Sequence, residues 1–323
     1  LIDFSMIFVG KLRGGLGLVN VFASMVFGGI SGSSVSDTAS IGAVLIPEMK
    51  RKGYTGEFAS GITVASSTMG MIIPPSVPMV IYSLVSSESV GKLFLASFIP
   101  GILIGLIMLA ITLGVSLYKK YPKEEITLTR TEKWSTIRKS LLALIMPFFV
   151  IGSVVFGIVT ATESAAIGVL YAFLMGIFVT KDLKLRAIPK LMKSSIITSA
   201  NVMIIIAICN LYIWILALER VPLAVAGFIG GLNLPVSIVL LMIIAVILAT
   251  GTFVDVSPAI LLLTPVFLPA LIQLGVSPLQ FGVLLVSGLA VGLVTPPVGM
   301  CLNVASAISG LGIVKIFKAA APY

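Results

Sequence analysis

The sequence GMIIPPSVPM at residues 70–79 lies inside a long apolar run, and the sequence GLVTPPVGM at residues 292–300 lies inside another. A Pro-Pro pair removes two backbone N–H donors and disfavours the α conformation in the residue before it, so a helix must break at each place. Within a bilayer, broken backbone is tolerated only where protein surrounds it or where it lines a cavity. Two breaks at matching places in two halves of a chain indicate a transporter binding site.

The composition is that of a membrane protein. Of 323 residues, 58% are hydrophobic and 10% are charged, whereas about 25% are charged in a soluble domain. The chain has no His, and Cys209 and Cys301 lie in separate apolar segments, which excludes a His-based catalytic triad and a His/Cys metal site. The net charge of +9 comes from basic residues in short loops between apolar runs, which is typical of topology determinants. We expect neither an enzyme nor a nucleic-acid-binding protein.

The apolar segments divide the chain into five regions. Residues 15–30 and 39–49 are each too short for the roughly 20 residues that cross a bilayer, and a polar tip at 31–38 joins them, so they form a re-entrant hairpin. Residues 235–250 and 259–274 form a second hairpin in the same way. The first predicted region, at 1–14, is the end of a preceding helix, and a first repeat at 15–86 follows with a hairpin at 15–49 and a broken helix at 57–86. Connecting spans and arms occupy 93–232. A second repeat at 235–311 has a hairpin at 235–274 and a broken helix at 279–311, and a cytoplasmic end follows at 312–323.

The distribution of basic residues supports two hairpins that return to the side from which they enter. With this topology, all of the 21 Lys and Arg residues except Lys92 and Arg220 fall on one face. The positive-inside rule makes that face cytoplasmic. If either hairpin crossed the membrane completely, this asymmetry would be lost. The predicted fold is therefore an all-α polytopic membrane protein with two re-entrant hairpins and two broken helices.

The two halves are related by an internal repeat. An offset of 222 residues relates Gly70 to Gly292 and the first Pro-Pro pair to the second. In the preceding hairpins, an offset of 218 relates Asp37 to Asp255. Because the first hairpin enters from the cytoplasmic face and the second from the opposite face, the sequence predicts an inverted-topology repeat.

Hairpin tips and broken helices bring together backbone carbonyls and hydroxyls, which are the groups that coordinate Na⁺ in such folds. We therefore predict two pseudo-symmetric Na⁺ sites with the substrate between them, and the positive ends of half-helices favour an anionic substrate. The oxygens on offer at the first site are the hydroxyls of Ser31, Ser33, Ser34 and Ser36 and the carbonyls of Gly70, Ile73 and Pro75. Those at the second site come from Gly251, Thr252, Gly292, Thr295 and Pro297. The residues predicted to lie near the substrate are Ser33, Ser36, Asp37, Asp255, Pro74 and Pro296.

Each of these residues also has a purely structural interpretation. The serines of the first tip either bind an ion or cap a helix end. Asp37 and Asp255 either bind a ligand or relay a proton, or they cap the second helix of each hairpin. Capping is favoured for both aspartates because neutral oxygens suffice for the ion. The Pro-Pro pairs either shape a site or only kink two helices, and their duplication at matched positions favours a site.

Four long stretches resemble one known family, the large membrane subunit (DctM type) of tripartite ATP-independent periplasmic (TRAP) transporters. They are NVFASMVFGGISGSSVSD at 20–37, GMIIPPSVPM at 70–79, DVSPAILLLTPVFLPA at 255–270 and VGLVTPPVGMCLNVASAISG at 291–310. The resemblance covers nearly the whole chain. The segment at 160–163 departs from a common family form that contains Pro. Relative to the family, we expect a helix pair before this sequence and one helix after it.

The resemblance implies an elevator mechanism, in which the hairpins and broken helices form a moving transport domain and the spans at 93–232 form the scaffold. It implies Na⁺ as the coupling ion, no organic cofactor, and uptake of an organic acid anion such as a C4-dicarboxylate or a sialic acid across the bacterial inner membrane. The implied partners are a periplasmic substrate-binding protein and a small four-helix membrane subunit of the DctQ type. Carried over by position, the resemblance implies one ion near Ser31, Ser34, Gly70, Ile73 and Pro75 and another near Gly251, Thr252, Gly292, Thr295 and Pro297.

Two alternatives remain open at this point. One is a Na⁺-coupled carboxylate carrier that works alone, without a binding protein. The other is an ion channel, because hairpin pairs also build selectivity filters. Filters usually arise from the symmetry of an oligomer, whereas the duplication here is internal and inverted, which favours a carrier.

Overall fold

A computed structural model describes residues 2–123, 130–181, 183–232 and 234–323. The described residues are mainly helical and contain no strand longer than the isolated bridge between Arg13 and Lys123. The helices of the first half are α1 (Ile2–Val9), α2 (Gly15–Ser31), α3 (Ser34–Arg51), α4 (Gly56–Ser67), α5 (Met69–Ile72), α6 (Val77–Ser86) and α7 (Val90–Tyr118). Those of the second half are α8 (Arg130–Val155), α9 (Ala161–Leu174), α10 (Ile188–Leu218), α11 (Val221–Gly231), α12 (Val236–Phe253), α13 (Val256–Gln273), α14 (Pro278–Gly292), α15 (Met300–Ser309) and α16 (Ile313–Ala320). A π-helical turn (Met175–Val179) follows α9, and a 3₁₀ turn (Leu185–Ala187) precedes α10.

Six of the described helices are long and apolar enough to cross a membrane, and eight spans result if each bent helix pair is counted as one. The pair formed by residues 56–72 and α6 is bent by 40°, and the pair formed by α15 and α16 by 112°. These bent pairs and the two helical hairpins, α2–α3 and α12–α13, confirm the predicted fold class.

The hairpin tips are shorter than predicted. Only Gly32 and Ser33 separate α2 from α3, whereas the sequence suggested a loop at 31–38. Residues 34–38 already belong to α3, and the Thr38 hydroxyl is satisfied within that helix, because its Oγ1 donates to the Ser34 carbonyl at 2.9 Å. Gly32 makes the turn with a φ of 63°, a conformation that glycine adopts at no steric cost.

Both helices break at the Pro-Pro pairs, as predicted, and the Pro74-Pro75 and Pro296-Pro297 peptides are cis. In a continuous helix Pro75 would donate to the Met71 carbonyl, but proline has no N–H. The Met71 carbonyl accepts instead from Ser76 Oγ at 2.5 Å. At the second break, the Leu293 carbonyl is likewise without its helical donor and accepts from the Cys301 N–H at 3.2 Å.

The structure corrects the offset between the hairpins. The helices α2 and α12 end at Ser31 and Phe253, and α3 and α13 begin at Ser34 and Val256. An offset of 222 therefore relates the hairpins as well as the broken helices. The offset of 218 was wrong because it matched two aspartates in different settings, since one lies in the first turn of α3 and the other precedes α13.

The two repeats interlock around a shared core. Helix α3 of the first hairpin packs on α15 of the second broken helix, and α13 of the second hairpin packs on α6 of the first. In the core, the rings of Tyr82 and Phe281 meet edge to face at 6.2 Å, and Tyr82 OH donates to the Pro278 carbonyl at 2.6 Å. The hairpins and the broken helices therefore form one body.

The end of the described chain forms a further packed helix, α16, where the sequence indicated only a cytoplasmic end. Its buried residues, Ile316 and Ala320, face the body, and α16 packs on α4. A Cβ at Gly61 would lie 2.8 Å from the Ala319 Cβ, so glycine permits this close approach. Under the offset of 222, α16 corresponds to the beginning of α7 in the first repeat. Helix α7 likewise packs on the body, through α14.

Candidate ion and substrate site

Cys301 is a fully buried residue in the first turn of α15. Helix α15 packs on α3, which carries Thr38, and on α4, which carries Ser67. Elements of both repeats thus converge on one place in the interior of the body.

The carboxylate of Asp37 is buried at this convergence. Ser31 Oγ donates a hydrogen bond to Asp37 Oδ1, whereas Asp37 Oδ2 has no hydrogen-bond partner among the described residues. A Cβ at Gly70 would lie 2.3 Å from Oδ2, so the carboxylate packs directly on the backbone of the break. The first hairpin thereby places an unpaired oxygen against Gly70.

The hydroxyl of Ser34 is the second unpaired oxygen of this region. The residue is fully buried, and within the described chain its Oγ has no hydrogen-bond partner. Its neighbour Thr38 is satisfied, because Thr38 Oγ1 lies 2.7 Å from Ser67 Oγ. Most buried polar groups in proteins are paired, so the unpaired Ser34 and Asp37 oxygens indicate a place for a cation.

The backbone of the first break completes this site. Pro74 has no N–H to donate to the Gly70 carbonyl. The tip lies against the break, since Val77 N–H donates to the Gly32 carbonyl at 3.4 Å and a Cβ at Gly32 would lie 3.1 Å from the Pro75 carbonyl oxygen. Ile73 is buried at the break with an extended backbone. The structure thus brings together the hairpin tip and the break residues of the first predicted site.

The second predicted site is built on a contact between two glycines. A Cβ at Gly292 would lie 2.6 Å from Gly251 Cα, so the last turn of α12 touches the end of α14. Thr252 Oγ1 donates to the Ala249 carbonyl at 2.8 Å, and Thr295 Oγ1 donates to the Val291 carbonyl at 2.7 Å. Each hydroxyl keeps lone pairs for an ion. Pro297 is exposed at the break, and Thr252 lies within a helix, not in the predicted tip loop.

The six residues predicted to lie near the substrate differ in exposure. Ser36 and Asp255 are exposed, and Ser33 is partly exposed. Pro296 is partly exposed, whereas Pro74 is buried. The residues accessible to a substrate from solution are therefore at the surface of the two tips.

The capping role favoured for Asp37 is wrong, whereas Asp255 occupies the predicted N-cap position without a side-chain hydrogen bond. Ser33, not Asp37, precedes α3, and the Asp37 carboxylate accepts from the Ser31 hydroxyl. Asp255 does precede α13, but its side chain makes no capping hydrogen bond. The aspartate carboxylates are therefore free for another role.

Sequence reasoning missed a buried polar network between α2 and α4. Asn20 Nδ2 donates to Thr63 Oγ1 at 2.6 Å, and Ser24 Oγ lies 2.9 Å from Ser66 Oγ. Thr38, Ser67 and Cys301 were also missed. A usable signal was present, because Asn20 and Ser24 are four residues apart on one face of an apolar helix.

The donors present fit a monovalent cation. They are hydroxyls, backbone carbonyls and one carboxylate, which are hard oxygen ligands of low total charge. Among the described residues, no group of three or more His, Cys, Asp or Glu side chains could hold a metal ion. In the first hairpin and break, these donors are Ser31, Ser34, Asp37 and the break carbonyls.

The model of the family described as "Tripartite ATP-independent periplasmic transporter, DctM component" matches residues 1–323. The C4-dicarboxylate TRAP transporter large permease protein DctM of Pseudomonas aeruginosa is 37% identical over 323 residues, which are 100% of this chain and 75% of that protein. The isethionate TRAP transporter permease protein DctMQ of Oleidesulfovibrio alaskensis is 34% identical over 314 residues, 97% of this chain and 49% of that protein.

The crystal structure of the Alcanivorax borkumensis YdaH transporter is similar in fold. Its TM-score is 0.58 at 17% sequence identity, and the match covers 99% of this chain and 82% of that one. At this identity the likeness concerns the fold alone. The family match and the level of identity to the relatives decide the family: the chain belongs to the DctM family of TRAP transporter large permease subunits, which are multi-pass proteins of the bacterial inner membrane.

Proposed function

We propose that this permease carries a small organic acid anion inward, coupled to Na⁺, by elevator-type alternating access. The observation that supports the coupling is the pair of buried, unpaired oxygens, Ser34 Oγ and Asp37 Oδ2, where the first hairpin meets the first break. A buried polar group without a partner costs about 1–3 kcal/mol, and more when it is charged. A bound Na⁺ would satisfy both oxygens.

The distribution of charged residues supports the proposal that anion binding requires Na⁺. Residues 14–49, 53–91 and 221–314, which include both hairpin tips and both breaks, contain no Lys or Arg. An anion at the tips and breaks therefore finds no basic side chain in these segments, and it meets the carboxylate of Asp255 at the surface of one tip. Two bound Na⁺ ions and the N-terminal ends of half-helices would supply the positive potential that holds it.

The packing supports movement of one body against a scaffold. The hairpins and the broken helices interlock, whereas the apolar stretches of α9 and α10 are only 11% and 6% buried. The interlocked helices would move as a unit that carries both ions and the substrate. The weakly packed helices would stay in the membrane as the scaffold.

The proposed partners are a periplasmic binding protein that delivers the anion and a small membrane subunit. Relatives named for C4-dicarboxylate and isethionate transport both handle small organic anions. The chain covers about half of the DctMQ relative, which leaves room for a second membrane part in the same polypeptide. The substrate is a small organic acid anion, and C4-dicarboxylates and sialic acids belong to this class.

The test is uptake into proteoliposomes that contain the full-length permease and its small subunit. Labelled anion should enter only with an inward Na⁺ gradient and only when a cognate binding protein is present. Equal uptake with K⁺ in place of Na⁺ would contradict the coupling. Saturable Na⁺-dependent uptake without a binding protein would support a carrier that works alone, and single-channel currents would support a channel.

A further inference from the structure

Helix α10 has almost no neighbours in the described chain. Only 6% of its most apolar stretch is buried, and Cys209 is its one buried residue. On the side of Cys209, α10 contacts the body through α13. Most of its circumference is therefore open to lipid or to another protein.

One open face of α10 is polar. Ser194, Thr198 and Asn201 are spaced i, i+4 and i+7, so they share one face, and all three are exposed. The Thr198 hydroxyl donates to the Ser194 carbonyl at 3.0 Å and is thus satisfied within the helix. The Asn201 carboxamide has no hydrogen-bond partner in the part of the chain that the structure describes.

Asn201 lies at membrane depth. Helix α10 has 31 residues and is about 46 Å long at 1.5 Å per residue. Asn201 is 13 residues from its start, close to its middle. A bilayer has about 30 Å of hydrocarbon, so the carboxamide lies within it. Lipid tails offer no hydrogen bond, and an unsatisfied amide in such surroundings is strongly unfavourable.

We propose that the face formed by Ser194, Thr198 and Asn201 binds a transmembrane helix of the small membrane subunit, and that Asn201 hydrogen-bonds to a polar side chain of that helix. The inference rests on the proposed function for the existence of that subunit. The two hydroxyl residues are small, which lets a second helix approach closely. In the DctMQ relative, more than half of the polypeptide lies outside the matched part, which leaves room there for a second membrane part beside the matched one.

Co-purification of the small subunit with tagged full-length permease tests the surface. Asn201→Leu should lower recovery of the small subunit about three- to tenfold, because a transmembrane hydrogen bond is lost. Asn201→Gln should restore part of it. Met203→Leu is the matched control, because Met203 is 70% exposed on the same helix but points away from the polar face. Unchanged recovery with Asn201→Leu would overturn the proposal.

A photo-crosslinking amino acid at position 201 identifies the neighbour directly. An adduct with the small subunit supports the proposal. An adduct with another span of the permease, with a second permease copy or only with lipid overturns it. Na⁺-dependent uptake is measured separately on the unaltered complex, so a failure of Na⁺ coupling is distinguished from a failure of this surface.

Discussion

At the residue scale, the difference between a structural serine and a candidate ligand is whether its hydroxyl is paired. Ser24 and Ser34 belong to the same hairpin and are both fully buried. Ser24 shares a hydrogen bond with Ser66, whereas Ser34 Oγ has no partner within the described residues. The Ser24–Ser66 hydrogen bond holds α2 on α4, whereas the Ser34 hydroxyl is available to the ion that we propose.

We expect Ser34→Ala to raise the Na⁺ concentration for half-maximal uptake about tenfold, which corresponds to about 1.4 kcal/mol. Thermal stability without Na⁺ should not fall, because the change removes a buried hydroxyl that has no partner. Thr295→Ala should also raise the Na⁺ concentration for half-maximal uptake, through the second proposed site. The measurement is the Na⁺ dependence of uptake and of the midpoint of thermal unfolding.

The matched control is Ser24→Ala, which removes a paired hydroxyl. It should lower the free energy of unfolding by about 1 kcal/mol and leave the Na⁺ dependence unchanged. If Ser34→Ala and Ser24→Ala behaved alike, the unpaired hydroxyl would have no special part in ion binding.

A second prediction at this scale concerns the contact between glycines. Gly292→Ala would place a Cβ 2.6 Å from Gly251 Cα, and backbone cannot move aside as a flexible side chain can. Uptake should fall by at least about tenfold, since even about 1.4 kcal/mol of misfit is a factor of ten. Gly114→Ala is the control, because nothing lies within 4 Å of a Cβ there. Normal uptake by Gly292→Ala would contradict the proposed second site.

At the scale of elements, the helix breaks could be predicted because they depend on local backbone chemistry. Proline cannot donate a hydrogen bond, so the breaks at Pro74 and Pro296 follow from two residues each. The extent of the tips could not be predicted, because Thr38 already belongs to α3, in which its hydroxyl donates to the Ser34 carbonyl. The place of Cys301 also escaped prediction, since it depends on packing between the two repeats.

The position of α7 also depends on tertiary packing. The sequence grouped it with the scaffold at 93–232. In the structure it packs mainly on α2, α5 and α14 of the body, and it also packs on α8. Cβ atoms at Gly101 and Gly105 would lie 2.8 Å from Ile73 Cγ1 and 2.5 Å from Met25 Cε, which is the close approach that small residues permit. We infer that α7 moves with the hairpins and that the scaffold begins at α8.

Cross-links across one cavity test this boundary. Val26 of α2, Ile102 of α7 and Phe148 of α8 all line an apolar cavity of about 240 Å³. A short bifunctional thiol reagent should leave uptake nearly unchanged in the cysteine pair at 26 and 102. It should stop uptake in the pair at 26 and 148, because that link would join the moving body to the scaffold.

The shared position 26 makes each pair the control for the other. Both pairs are assayed before and after reduction of the link, with cross-linking yield measured by the mass of a proteolytic fragment. If the link between 26 and 102 stopped uptake, α7 would have to be assigned to the scaffold. Free uptake with the link between 26 and 148 would contradict relative movement at this boundary.

At the scale of the whole molecule, the inverted repeat makes the two proposed Na⁺ sites chemically unequal. The offset of 222 places Ala259 where the first repeat has Asp37, and Ala259 is fully buried. The first site therefore contains a carboxylate, and the second has only hydroxyl and carbonyl oxygens. Since a charged ligand interacts more strongly with a cation than neutral oxygens do, the first site should bind Na⁺ more tightly.

We therefore expect Na⁺ to bind in two phases to the detergent-solubilised complex. Asp37→Asn keeps the shape of the side chain and removes its charge, so it should weaken the tighter phase at least about tenfold and leave the weaker phase unchanged. Asp255→Asn is the control, because Asp255 is exposed at the surface of the other tip and should alter anion uptake without changing the tighter phase. Calorimetric titration with Na⁺ measures both phases. An equal shift in both variants, or one Na⁺ phase in the unaltered protein, would contradict the inequality of the two sites.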